Sequence, residues 1–216
     1  MIVPLQNSGA AEREIDPELA NLRQDCWDQA LYAFGTAVLF QRRARSLRRS
    51  LRALTFIGVG VPVAVGGAVL SVSTNQSFVA VIAAVAGVLL FAQLIWSVWA
   101  IVALWEDRRA YAVESMTDNF RLANAYKFLA EHSPNDIKQR FEVLAAESGS
   151  RDTRDYQQDL REGEKRRGMR AALFQNRRAC AGCRRVPESP DKATNCAVCG
   201  QFGWIIWRWR KVRDAK

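Results

Sequence analysis

Apolar positions near the start of the chain recur three and four residues apart. Leu19, Leu22, Cys26, Ala30, Ala33, Ala37 and Phe40 form one stripe, with Trp27, Leu31, Phe34 and Val38 beside it. That spacing predicts an amphipathic helix. Asp16-Pro17-Glu18 supplies its start, an acid at the N-cap followed by proline at the first helical position. The stripe runs into an arginine cluster, and the helix is expected to continue toward the apolar segment beyond it.

The pattern then changes from periodic to continuous. Residues 54–72 carry no charge and would rise about 28 Å as a helix; residues 79–104 carry none either and would rise about 39 Å. Both lengths suit the hydrocarbon core of a bilayer. Between them stands only the polar turn Ser73 to Phe78, so the pair is expected to form a two-helix transmembrane hairpin. Arg42, Arg43, Arg45, Arg48, Arg49 and Arg52 precede it, Arg108 and Arg109 follow it, and the turn has no Lys or Arg. The positive-inside rule therefore places both termini in the cytoplasm, and the protein in the inner membrane as a multi-pass protein in contact with lipid.

Periodicity returns after the second span. Ala112, Met116, Phe120, Ala123, Tyr126 and Ala130 form a stripe that halts at Ser133-Pro134-Asn135-Asp136, which is read as ending one helix and capping the next. A shorter helix follows with Ile137, Phe141, Leu144 and Ala145, and Ser148-Gly149-Ser150 is expected to close it. The helices before and after the hairpin should pack together, with Leu22, Cys26 and Ala33 against Met116, Phe120 and Ala123. Cys26 would be a buried, inert thiol. Residues 151–170 are dominated by charge and read as a solvated helix or linker. The implied organisation is a disordered start (1–15), a two-span helical domain (16–147), a charged connector (148–176) and a C-terminal unit (177–216).

Composition changes this picture in two ways. Mean hydropathy is only −0.15 because apolar residues are concentrated between Leu54 and Trp105, while the net charge of +9 calls for an anionic partner such as lipid headgroups or nucleic acid. His132 is the single histidine, and with no cluster of acids and no glycine-rich phosphate loop outside the spans the chain is expected not to be an enzyme. The start of the chain has neither a basic n-region nor an apolar h-region of signal-peptide type.

Inside the spans, Gly60, Ala64 and Ala68 stand at small-xxx-small spacing, and Gln93 and Ser97 share a stripe of the second span. Small residues let helix backbones approach in lipid, and an amide in hydrocarbon needs a partner. Two readings stay open: packing within the hairpin, or a subunit interface or pore lining in a homo-oligomer.

The C-terminus carries the most specific signal. Cys180-Ala-Gly-Cys183 and Cys196-Ala-Val-Cys199 are two C-x2-C knuckles with twelve residues, Arg184 to Asn195, between them. Such pairs complete a four-sulfur site for one structural zinc; an iron–sulfur centre or redox cysteines are the alternatives. Trp207, Arg208, Trp209, Arg210 and Lys211 alternate aromatic and basic side chains in what reads as a strand completing a zinc ribbon. They would contact the anionic leaflet, or stack on and pair with nucleic acid, or simply pack. The fold class is thus mainly α: a transmembrane hairpin, long cytoplasmic amphipathic helices and a small zinc ribbon.

On these features the hairpin with its flanking helices resembles the SLATT domains of bacteria. That resemblance implies a membrane effector of a bacterial defence or mobile-element system, oligomerising to form a pore or disrupt the inner membrane. The tail resembles a family from bacterial mobile elements named for CxxC-x11-CxxC; the spacer here is one residue longer, which leaves a four-sulfur site intact. The alternative function is a membrane-tethered zinc-ribbon module that binds nucleic acid or a protein partner, including one from a defence system.

Overall fold

The computed structural model describes residues 17–71 and 76–202; within the helices, the side chains of 65, 68–71, 76–79, 82 and 83 lie outside the description. Five helices, and no strand, are found among the described residues: α1 (Pro17–Ser71), α2 (Gln76–Val102), α3 (Trp105–His132), α4 (Ile137–Tyr156) and α5 (Glu162–Gln175).

Helix α1 runs without a break for 55 residues, about 82 Å, so the amphipathic stripe, the arginine cluster and the apolar segment belong to one rod. Its buried positions Cys26, Ala30, Ala33, Ala37, Phe40 and Ala44 alternate steps of four and three. Those of α3, Ala112, Ser115, Asn119, Leu122, Tyr126 and Leu129, do the same. A mean period of 3.5 keeps one seam of each helix on its partner, as in a coiled coil. The two run antiparallel: Cys26 packs with Leu129 and Ala130, Ala33 with Leu122 and Ala123, Phe40 and Ala44 with Ala112. Small side chains on α1 let the axes approach. Phe34 against Phe120 and Phe40 against Tyr111 close the flanks edge to face at 5.6 and 5.9 Å. The two helices pack on one another as expected, but in another register: Ala33 meets Ala123, whereas Leu22 and Cys26 lie with Leu129 and Ala130, and Met116 with Leu39 and Phe40. Cys26 is fully buried, with desolvation pushing its thiol pKa up.

Phe56, Val59 and Val63 of α1 and most described side chains of α2 are apolar and exposed. Ala84–Val102 is long and apolar enough to cross a membrane, and only 11% of it is buried, unlike the core helix of a soluble protein. This helix stops at Val102 rather than Leu104: Leu104 takes a left-handed conformation (φ 50°), and α3 starts at once with Trp105.

Three expectations change in the second half of the chain. Ser133 ends α3 in a left-handed conformation, its N–H donating to Leu129 O. Asp136 does not cap α4 through its side chain; its Oδ2 accepts from Arg140 Nε at 2.7 Å. Helix α4 does not close at Ser148-Gly149-Ser150 but continues to Tyr156. A glycine inside a helix costs about 1 kcal/mol relative to alanine, and what lies beyond it outweighs that cost. Asp155 is buried and accepts from Tyr111 Oη (2.7 Å), Ser115 Oγ (2.8 Å) and Asn119 Nδ2 (2.9 Å). Arg151, 1% exposed, reaches Glu114 and Asp118 at 2.8 Å and lies over the Tyr111 ring. The polar members of the α3 seam, Ser115 and Asn119, are there to receive α4.

The charged segment 151–170 is largely helical, as one expectation had it, but it is packed rather than solvated. Helix α5 lies antiparallel on a second face of α1, so close that a Cβ on Gly168 would collide with the Gly35 carbonyl oxygen. Arg43 holds its start, donating to both carboxylate oxygens of Glu164 and to the carbonyls of Gln158 and Asp159. Burial works against the Glu164 charge, yet the bonds from Arg43 hold its pKa below the usual carboxylate range.

Candidate metal centre

After α5 ends at Gln175 the chain makes two similar turns. In the first, Arg184 N–H donates to Cys180 O (2.7 Å); in the second, Gly200 N–H donates to Cys196 O (2.9 Å). The bonds are equivalent in register, so each C-x2-C pair is folded by the same five-residue loop. Gly182 and Gly200 are required by crowding. A Cβ on Gly182 would lie 2.8 Å from Val198 Cγ2, and one on Gly200 would strike the backbone of Thr194. The residues that leave the knuckles, Arg184 and Gln201, take left-handed conformations (φ 55° and 49°) that turn the chain away from the sulfurs.

The loops bring four sulfurs within 4.8 Å of one another, with Cys180 and Cys196 Sγ 3.9 Å apart and Cys183 and Cys199 Sγ 3.8 Å apart. A tetrahedral zinc with Zn–S bonds of about 2.3 Å requires sulfur separations of about 3.8 Å. The donors fit zinc, and all four positions would be filled by protein, leaving none for substrate. The four cysteines form a site for one structural zinc ion. As free thiols they differ: N–H groups of the backbone, that of Cys199 foremost, hold Cys196 down at about 7, while burial pushes Cys199 up.

The centre is tied to the helices by a residue that the sequence did not single out. Arg170 of α5, 4% exposed, donates Nε to Ser189 O (2.7 Å) and Nη1 to Cys199 O (3.2 Å), with Cys199 Sγ at 3.8 Å. Four thiolates around Zn²⁺ leave a doubly negative complex, and a buried guanidinium beside it offsets that charge. Leu173, Leu31 and Met169 pack under the cysteines, and Arg178–Asp28 and Arg42–Asp191 ion pairs, each 2.6 Å, bridge the metal lobe to α1. A Cβ on Gly163 would collide with Phe202, so α5 also receives the chain that leaves the second knuckle. The signal for this docking was the pair of glycines, Gly163 and Gly168, within a charged helix.

The knuckles are built from turns, and the strand expected to complete a ribbon, residues 202–211, lies outside the described residues but for Phe202. Trp207, Arg208, Trp209, Arg210 and Lys211 lie outside the described residues, as do residues 72–75 of the expected hairpin turn. Of the candidate residues in the spans, Gln93 faces α1: a Cβ on Gly58 would lie 2.8 Å from its Nε2, and its Oε1 is buried with no hydrogen-bond partner. Ser97 is half-buried. Ala64 is exposed, and a Cβ on Gly60 would meet only the Phe56 ring, at 4.0 Å. The side chain of Ala68 is outside the description. Among the described residues the glycine at the contact between α1 and α2 is therefore Gly58.

No curated protein and no solved structure matches the chain at a significant level. A family described as Mobilome CxxCx(11)CxxC protein matches residues 23–202, from the first turns of α1 to the residue that packs on Gly163. Both knuckles fall inside that match, and the spacer of twelve residues is one longer than the family's description states. The seam, the docked α5 and the metal site all lie within that match, and the chain belongs to the mobilome CxxCx(11)CxxC family.

Proposed function

We propose that this chain is a non-enzymatic membrane effector of a mobile-element or defence system, acting by association of its spans in the inner membrane. In this reading the apolar end of α1 and helix α2 form a hairpin, and the coil, α4, α5 and the zinc lobe stand in the cytoplasm. The arginines around residues 42–52 and 108–109 support that orientation. The resemblance to SLATT domains supports the role.

One observation carries the proposal. Among the described residues a Cβ on Gly60 would meet only Phe56 of its own helix and Ala64 is exposed, while Gln93 buries an amide oxygen with no partner. A small-residue face is suited to close contact with another helix, and an orphaned amide oxygen in an apolar setting costs on the order of 1–3 kcal/mol. Neighbouring copies that meet along these residues would bury the face and supply the missing donor. The zinc lobe, fixed to α1 through Arg42 and Asp28, with α5 fixed beside it through Arg43, would hold the spans in the resting arrangement.

The test is expression of wild type and Gln93→Leu in bacteria at matched membrane levels, together with the genes that normally accompany the chain, with a membrane-potential dye as readout. Wild type should depolarise cells on activation, and Gln93→Leu or Gly60→Leu should insert equally well but fail to do so. A wild type that never depolarises, or a Gln93→Leu variant that does so equally well, would replace this reading with that of a membrane-tethered module for nucleic acid or a protein partner.

A further inference from the structure

A cavity of about 690 Å³ opens where α1, the start of α3 and the α4–α5 connection meet. Its walls carry five arginines, Arg42, Arg43, Arg108, Arg161 and Arg167, against two carboxylates, Asp159 and Glu164. The arginines are not equally occupied. Arg43 spends its donors on Glu164 and on two carbonyls, Arg167 lies over the Phe202 ring, and Arg42 pairs with an exposed Asp191. Arg108 and Arg161 are exposed and make no side-chain ion pair or hydrogen bond with any described residue. They line the cavity from two different elements, one from α3 and one from the α4–α5 connection.

We propose that this cavity is a phosphate-binding site, with Arg108 and Arg161 as the principal ligands and Arg42 at the rim. Guanidinium groups pair with phosphate through two parallel N–H···O bonds, and a walled cavity strengthens them relative to an open surface. The position narrows the source. Leu47 on the wall precedes Leu54 by seven residues, about 10 Å along α1, and Arg108 follows Val102 by about 9 Å. If the spans lie in the bilayer, the mouth borders the headgroup layer, which extends about 5–7 Å beyond the hydrocarbon. The phosphate is therefore that of an anionic lipid headgroup or of a soluble phosphate compound entering from the cytoplasm. Only the first source depends on the membrane placement proposed above.

The experiment uses the full zinc-loaded chain in nanodiscs. In discs of phosphatidylcholine alone, inorganic pyrophosphate is titrated by calorimetry; in discs containing phosphatidic acid, lipid retained by the protein is measured by native mass spectrometry. Saturable pyrophosphate binding, weakened at least about tenfold by Arg108→Gln or Arg161→Gln and little by Arg48→Gln or Arg109→Gln, would establish the site with a soluble ligand. Selective retention of phosphatidic acid, lost in the same two variants, would establish it with a lipid. Because both side chains are exposed and unpaired, the variants should keep their zinc and helix content. Absence of saturable binding in both arms, or equal weakening by Arg48→Gln and Arg109→Gln, would show diffuse surface charge and overturn the proposal. Neither arm reads depolarisation, so the outcome is separate from that of the effector reading.

Discussion

Asp155 shows how much a single side chain can organise. It sits in the interior with donors from three residues of α3, Tyr111, Ser115 and Asn119, and beside Arg151 one turn earlier on its own helix. Removing one member of a buried charged cluster strands the others, at a cost of about 3–5 kcal/mol. Asp155→Ala should therefore lower stability by that amount in chemical denaturation, and loosen the end of α4 more than its beginning. A variant with an unchanged midpoint would mean that the network is not a structural anchor. The sequence announced none of this. Ser115 and Asn119 occupy seam positions that pattern reading reserves for apolar residues, and Asp155 lies in a run of charge that looks solvated. Burial of paired charges leaves no periodic trace, because the partners are about forty residues apart. The four cysteines are the opposite case: their spacing encodes the chemistry, and their convergence could be expected from it.

At the scale of the element, the packing of α3 on α1 was legible in apolar spacing, but not the line of the seam, which runs through Ser115, Asn119 and Leu122 while Met116 and Phe120 lie at its flanks. The length of α4 and the docking of α5 were not legible, since both depend on glycines and charges whose meaning is set by what they touch. The contact of Gly168 with Gly35 is asymmetric in a way that makes it testable. A methyl group on Gly168 has no room before the Gly35 carbonyl, while one on Gly35 would lie 3.3 Å from Gly168 C and O, a gap that a shift of a few tenths of an ångström can open. In an isolated helix, both substitutions by alanine would stabilise by up to about 1 kcal/mol through propensity. Here Gly168→Ala should instead destabilise and raise hydrogen exchange throughout α5, with Gly35→Ala much milder. If both stabilise the protein, the close approach of the two backbones is not real.

For the whole molecule, metal and fold should be inseparable over residues 162–202 but not beyond them. Structural zinc in small sites contributes about 10–16 kcal/mol of apparent binding free energy, which is folding free energy for the loops that hold it. Cys180→Ser or Cys199→Ser should reduce bound zinc from one per chain to none. Limited proteolysis should then reach α5 and the knuckles while the α1–α3 coil stays resistant, because the seam uses none of the metal lobe. An unchanged digestion pattern would separate the lobe from the metal. The course of α1 carries a further consequence. A helix is stiff in twist as well as in length, so the azimuth that α5 and the zinc lobe impose at Gly35 and Arg43 reaches Gly58 and Gly60 with its phase intact. One residue added between Arg49 and Leu54 would turn the apolar end of α1 by about 100° and move it only about 1.5 Å, whereas seven would return it to within about 20° of its starting angle. The metal lobe and α5 thus act together as a compass for the far end of the rod, setting the direction in which its apolar faces point.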